Sequence, residues 1–155
     1  MTNFVEYENS NNGKIFLNIE ELFLEWNIPL INGILTKDKY IKADINENNT
    51  LTFEETGFNE NISLLEENCS SIGILNTLKH KNYTLYCGEG ISHGSIGFIA
   101  IVNKNNKLVW LMSHELINPI EEMRVENNKI IGRNTYKREY EFEIDWEKLN
   151  MEWYF

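Results

Sequence analysis

Residues 87 to 94 read CGEGISHG and gather Cys87, Glu89, Ser92 and His93 among three glycines, Gly88, Gly90 and Gly94. A thiol or hydroxyl becomes a nucleophile when a neighbouring base takes its proton, so Cys87 or Ser92 beside His93 has the residue types for acyl transfer. The spacing is wrong for it. Adjacent residues of an extended chain point apart, and the G-x-S-x-G elbow that exposes a serine nucleophile is missing. A phosphate cradle needs G-x-G-x-x-G at the start of a helix, where free amides meet the anion. Here the glycines are spaced G-x-G-x-x-x-G, no Lys-Ser/Thr pair follows, and the chain runs on into IGFIAIV at 96 to 102, a strand pattern. Zinc could draw on Cys69, His80, Cys87 and His93, but separations of 11, 7 and 6 positions lack the close C-x-x-C pairing of a metal motif. His114, followed by Glu115, reads as a polar group with a local partner rather than an acid or base. The stretch is therefore expected to be a glycine-permitted bend feeding a buried hairpin. No catalytic residue, cofactor or metal is expected.

The more regular pattern lies downstream. EYEFEIDWE at 139 to 147 alternates without error: Glu139, Glu141, Glu143, Asp145 and Glu147 on one face, Tyr140, Phe142, Ile144 and Trp146 on the other. Five carboxylates in one row, about 6.8 Å apart on an extended strand, admit two readings. They are the solvated face of a half-buried strand, paired across to Lys129, Arg133 or Arg124, or a negative stripe that meets a basic partner. The cations nearby are fewer than the acids, so the row and the adjacent Tyr136 form the candidate partner-binding site. Trp110 and Trp146 have the parity of core residues. The C-terminal EWYF is either a docked tail or an exposed anchor.

The elements that position these groups follow from turn chemistry. Asparagine clusters at 9–13, 46–49, 103–106 and 126–128 mark turns, because asparagine tolerates left-handed backbone and bonds its own main chain. Alternating segments flank several of them, which predicts hairpins. Strands are expected at roughly 83–87, 95–102, 107–114, 120–126, 129–136 and 138–146, as one antiparallel meander, with a further hairpin where NENN joins GILTKDKYIKADI to TLTFEE. NIEELFLEWNIP at 18–29 places Asn18 at a cap, acids in the first turn and Ile19, Leu22, Phe23 and Trp26 at helical spacing before Pro29, which predicts a short amphipathic helix. ISLLEENCSSIGILNTL at 62–78 fits either a helix or a strand and loop. With no repeat or Pro-rich linker, residues 1–155 are expected to form a single α+β domain, mainly antiparallel β meander in the C-terminal two-thirds with a short N-terminal helix.

Bulk properties narrow the partner. The chain carries 24 acidic against 14 basic side chains, a net charge of −10, which repels nucleic-acid phosphates and anionic lipid alike. No apolar run approaches the roughly 20 residues that cross a bilayer, and MTNFVEYENSNNGK lacks the features of a signal peptide. Two cysteines, Cys69 and Cys87, suit a reduced compartment as small buried groups. A cytoplasmic protein with a basic protein partner, no nucleic acid and no membrane is expected.

The run GSIGFIAIVNKNNKLVWLMSHELINPIEEMRVENNKIIGRN resembles the strand-turn-strand pattern of small acidic immunity proteins that accompany bacterial polymorphic or contact-dependent toxins. The likeness spans roughly residues 86–134 and is carried by Gly97, Phe98, Trp110, Asn118 and Pro119, all of structural type. It implies a non-enzymatic cytoplasmic protein that binds and neutralises one cognate toxin domain, frequently a basic nuclease. Two other classes stay open. One is a small-molecule-binding module or enzyme using Cys87, Glu89, His93 and Ser95 at the bend, and the other is a structural or phage-related interaction protein. An apolar pocket beside 87–95 would favour the ligand class.

Overall fold

The computed structural model describes residues 5–8, 14–17, 27–29, 31–36, 39–48, 50–56, 69–90, 96–105 and 108–150. Thirteen strands run through them: β1 Val5–Glu8, β2 Lys14–Leu17, β3 Asn27–Pro29, β4 Gly33–Leu35, β5 Tyr40–Ile45, β6 Leu51–Thr56, β7 Cys69–His80, β8 Tyr83–Gly90, β9 Gly97–Val102, β10 Leu108–His114, β11 Ile120–Glu126, β12 Lys129–Asn134 and β13 Glu139–Glu143. A single 3-10 turn, Lys148–Asn150, follows. The expected α+β class is therefore wrong, and the described residues are nearly all β. Of the helix expected over 18–29, residues 18–26 lie outside the described residues. Asn27–Pro29 instead forms a strand whose partner is Cys69–Ser71 of β7. A distant strand in the right register offers that backbone hydrogen bonds that local helical periodicity does not announce, and tertiary pairing overrides propensity.

The strands build an eight-stranded sheet, in order β3-β7-β8-β9-β10-β4-β5-β6, a three-stranded sheet β11-β12-β13, and the separate hairpin β1-β2. Every pairing is antiparallel. The expected strands from 83 onward all exist, but they are not one meander. After β10 the chain turns through Glu115–Pro119, with a cis peptide at Asn118–Pro119, and enters the second sheet. The larger sheet continues from β10 to β4, from much earlier in the chain.

The smaller sheet lies across the larger, and the core is their shared interior. Leu85, Ile99, Ile101 and Met112 from one side meet Ile120, Ile130 and Phe142 from the other, all fully buried. Trp110 and Phe142 stack edge to face across the interface, with ring centroids 6.0 Å apart. Each such aliphatic or aromatic side chain contributes about 1.5–3 kcal/mol on burial, so this layer fixes where β11–β13 sit. Beyond β13, the Tyr83 hydroxyl donates to the Trp146 carbonyl at 3.0 Å, tying that segment to the start of β8.

Candidate protein-binding face

Burial along Glu139–Glu147 alternates without a break, each acid exposed and each intervening residue buried. The alternation holds past the end of β13, where Asp145 and Glu147 are exposed as Glu139, Glu141 and Glu143 are. Tyr140, Phe142, Ile144 and Trp146 are at most 5% exposed. Their burial holds the carboxylates outward.

Register places these acids on a grid. Across the outer face, Glu122 lies opposite Arg133 and Arg133 opposite Glu139; Arg124 lies opposite Ile131 and Ile131 opposite Glu141; Glu126 lies opposite Lys129 and Lys129 opposite Glu143. Arg124 reaches from β11 past Ile131 to Glu139 on β13, donating to both carboxylate oxygens at 2.6 and 3.1 Å. It also donates to Glu126 at 3.0 Å. Arg133 pairs with Glu122, and Lys129 lies 3.9 Å from Glu141. The pairing to Arg124 and Lys129 expected of the acidic row is present, while Arg133 turns to β11 instead. Hydrogen bonds from Arg124 hold the Glu139 carboxyl below the usual glutamate range.

The cations run out before the acids do. Among the described residues, Glu143 and Glu147 have no ion pair, and Asp145 has only Lys148 at 3.8 Å. At the opposite end of β13, the β12–β13 turn is held by Asn134, whose Oδ1 accepts from the Tyr136 and Arg138 amides at 3.0 Å each. Lys137 there is left-handed, with φ 63°. The turn projects Tyr136 outward, 78% exposed.

Two clefts border the strand. One, of about 760 Å³, runs between β13 and the β5–β6 hairpin, with Ile41, Leu51 and Phe53 facing Glu139, Glu141 and Glu143. The other, of about 850 Å³, lies at the far end beside Lys81, Asn128, Asp145 and Glu147. Sequence reading missed Leu51 and Phe53 as site residues. Their alternation in TLTFEE signals a strand face, but only the position of β6 at the end of its sheet leaves Phe53 47% exposed.

The glycine-rich stretch divides. Cys87–Gly90 is the end of β8, while residues 91–95, including Ser92, His93 and Ser95, lie outside the described residues. Cys87 is fully buried, and burial pushes its thiol up to about 12, which is unsuited to a nucleophile. A Cβ on Gly88 would collide with the Gly73 carbonyl oxygen, and one on Gly97 with that of Ile117, so these glycines permit close backbone approach. Cys69 and His80 begin and end the same strand, about 36 Å apart at the strand rise, and cannot share an ion. His114 is buried, with Nε2 2.8 Å from the Ala43 carbonyl and Nδ1 accepting from the Leu116 amide at 3.0 Å. Nε2 thereby ties β10 to β5, and Nδ1 holds the turn that follows β10. Among the described residues, no helix is long and apolar enough to cross a membrane.

The chain matches no known family model, and neither curated proteins nor solved structures give a match.

Proposed function

We propose that this protein binds and neutralises a basic protein partner, a cognate toxin domain, through the outer face of the smaller sheet. The observation that carries the reading is the acid excess along β13 and the turn that follows it: Glu143 and Glu147 have no ion pair among the described residues, and the exposed Tyr136 stands at the other end of the strand. Like charges held close on a sheet cost stability, and a basic surface offsets that cost on binding. An aromatic at the margin of a charged patch supplies the contact that charge alone does not. On a nuclease, the lysines and arginines that hold phosphate would meet these carboxylates, and opposite fields would steer encounter towards rates above the ~10⁵–10⁶ M⁻¹s⁻¹ of neutral pairs. The resemblance of residues 86–134 to immunity proteins points to the same class of partner.

The test is charge reversal at Glu141 and Glu143 together. Association with the captured partner should slow and its salt dependence flatten, while the circular dichroism spectrum of the free protein stays as in wild type. An unchanged on-rate would move the interface off this face.

A further inference from the structure

Among the described residues, the outer edge of β13 has no strand paired to it. β13 ends the order β11-β12-β13. In an antiparallel pair, residues that exchange backbone hydrogen bonds alternate with residues whose N–H and C=O turn away from the partner. Two bonds set the parity here: the Ile144 amide donates to the Asn128 carbonyl at 2.8 Å, and the Asn134 amide to the Arg138 carbonyl at 3.0 Å. With Gly132 opposite Tyr140 and Ile130 opposite Phe142, the even-numbered residues of β13 bond to β12. The backbone groups of Glu139, Glu141 and Glu143 therefore face the free edge. That edge looks onto the cleft floored by Ile34, Ile41, Leu51 and Phe53, and β6, on its far side, is itself the last strand of the larger sheet. Phe53 sits edge-on to Phe142, with centroids 6.4 Å apart, and remains half exposed.

We infer that this cleft takes an extended basic segment of the partner as an added strand on β13. The inference rests on the proposed acidic-face function and names how the partner docks. An added strand would satisfy the amides and carbonyls of Glu139, Glu141 and Glu143, and main-chain bonds of this kind supply affinity while alternate side chains supply specificity. Its side chains would alternate between the apolar floor and the outer face, where they stand opposite the three glutamates. The fitting sequence alternates lysine or arginine with aliphatic residues. A second copy of this chain does not fit, because pairing β13 with itself would set glutamates opposite glutamates. An unprotected edge beside apolar side chains is otherwise an aggregation hazard, and the row of carboxylates guards it against all but a cationic strand.

The experiment uses the full chain and two blocked nonapeptides of equal composition, one alternating lysine and valine, the other with five lysines followed by four valines. The alternating peptide should bind at least tenfold more tightly, and should slow hydrogen exchange at the Glu141 and Glu143 amides at least tenfold. Glu141→Pro removes one edge-facing donor without touching the β12 ladder, so it should keep the Tyr140 and Phe142 amides protected while losing the preference between peptides. Glu141→Gln keeps the donor and should retain the preference with weaker binding overall. Equal binding of both peptides, with edge amides exchanging unchanged, would overturn strand addition and leave the acidic face standing as an electrostatic surface. Binding of neither peptide would also overturn strand addition, whereas loss of the acidic-face function is read separately, from the charge-reversal variant and the intact partner.

Discussion

The guanidinium of Arg124 crosses an intervening strand to hold both oxygens of Glu139, at 2.6 and 3.1 Å. On the strand between them Ile131 lies opposite Arg124, with Glu141 on its other side, and is only 2% exposed, although it belongs to the outer face. The ion pair thus runs diagonally across the grid and neutralises the first carboxylate of the acidic row, leaving the unpaired charge at the Glu143 and Glu147 end.

This bond carries a pH signature. The folded-state pKa of Glu139 is depressed by Arg124, so its contribution to stability is present above the unfolded glutamate value of about 4.3 and is lost as pH falls through the folded value. Both side chains are exposed, so solvent screens the effect and it is small. Melting temperatures of wild type and Glu139→Gln should differ most at neutral pH and converge as pH drops below the glutamate range. A gap that stays constant with pH would mean that the pair is not formed in solution.

His114 gives a second, independent acid limb. Burial lowers its pKa, so the folded state holds it neutral while the unfolded chain takes up a proton below about 6.5. Its favourable contribution is therefore present above that value and declines as pH falls. The imidazole resonances of His114 should titrate below the ordinary histidine value, with Nε2 carrying the proton that bonds the Ala43 carbonyl. Titration at or above 6.5 would contradict the buried, doubly bonded ring.

Cys87 should be inert in the native protein. With the thiol buried and pushed up to about 12, iodoacetamide at pH 8 should leave the Cys87 peptide unmodified until denaturant is added, as read by peptide mapping. Rapid native labelling would reopen the end of β8 around Cys87 as a reactive site.

The glycines of β8 and β9 are expected to be intolerant. Gly88→Ala or Gly97→Ala drives a methyl group into a backbone carbonyl, which no rotamer change relieves. The destabilisation should exceed the ~1–3 kcal/mol of ordinary overpacking, measured by urea unfolding. By contrast, Tyr136→Ala at an exposed turn should leave stability within about 0.5 kcal/mol while weakening partner binding.

Local chemistry was legible in the chain and long-range placement was not. The alternation of Glu139–Glu147 gave its burial pattern residue by residue, and the NKNN and ENN turns located the hairpins of β9–β10 and β11–β12, because period and turn type are set by neighbours in sequence. The break of the meander into two sheets at Glu115–Pro119 was hidden, since β10 takes β4 as its partner from nearly eighty residues earlier. The same cause defeated the helix reading at its C-terminal end, where Asn27–Pro29 pairs with β7. The cleft beside β13 needs both lessons together: the acids were visible in sequence, while Leu51 and Phe53 join them only once β6 closes the larger sheet alongside.

The most direct measurement is affinity capture from the native host with tagged wild type and the Glu141→Lys/Glu143→Lys variant side by side, each washed at low and then high salt. Wild type should retain one basic protein in stoichiometric amount and release it progressively as salt rises, and the variant should retain little of it at any salt. The same proteins held equally by both, or no stoichiometric partner on either, would contradict recognition through the acidic face.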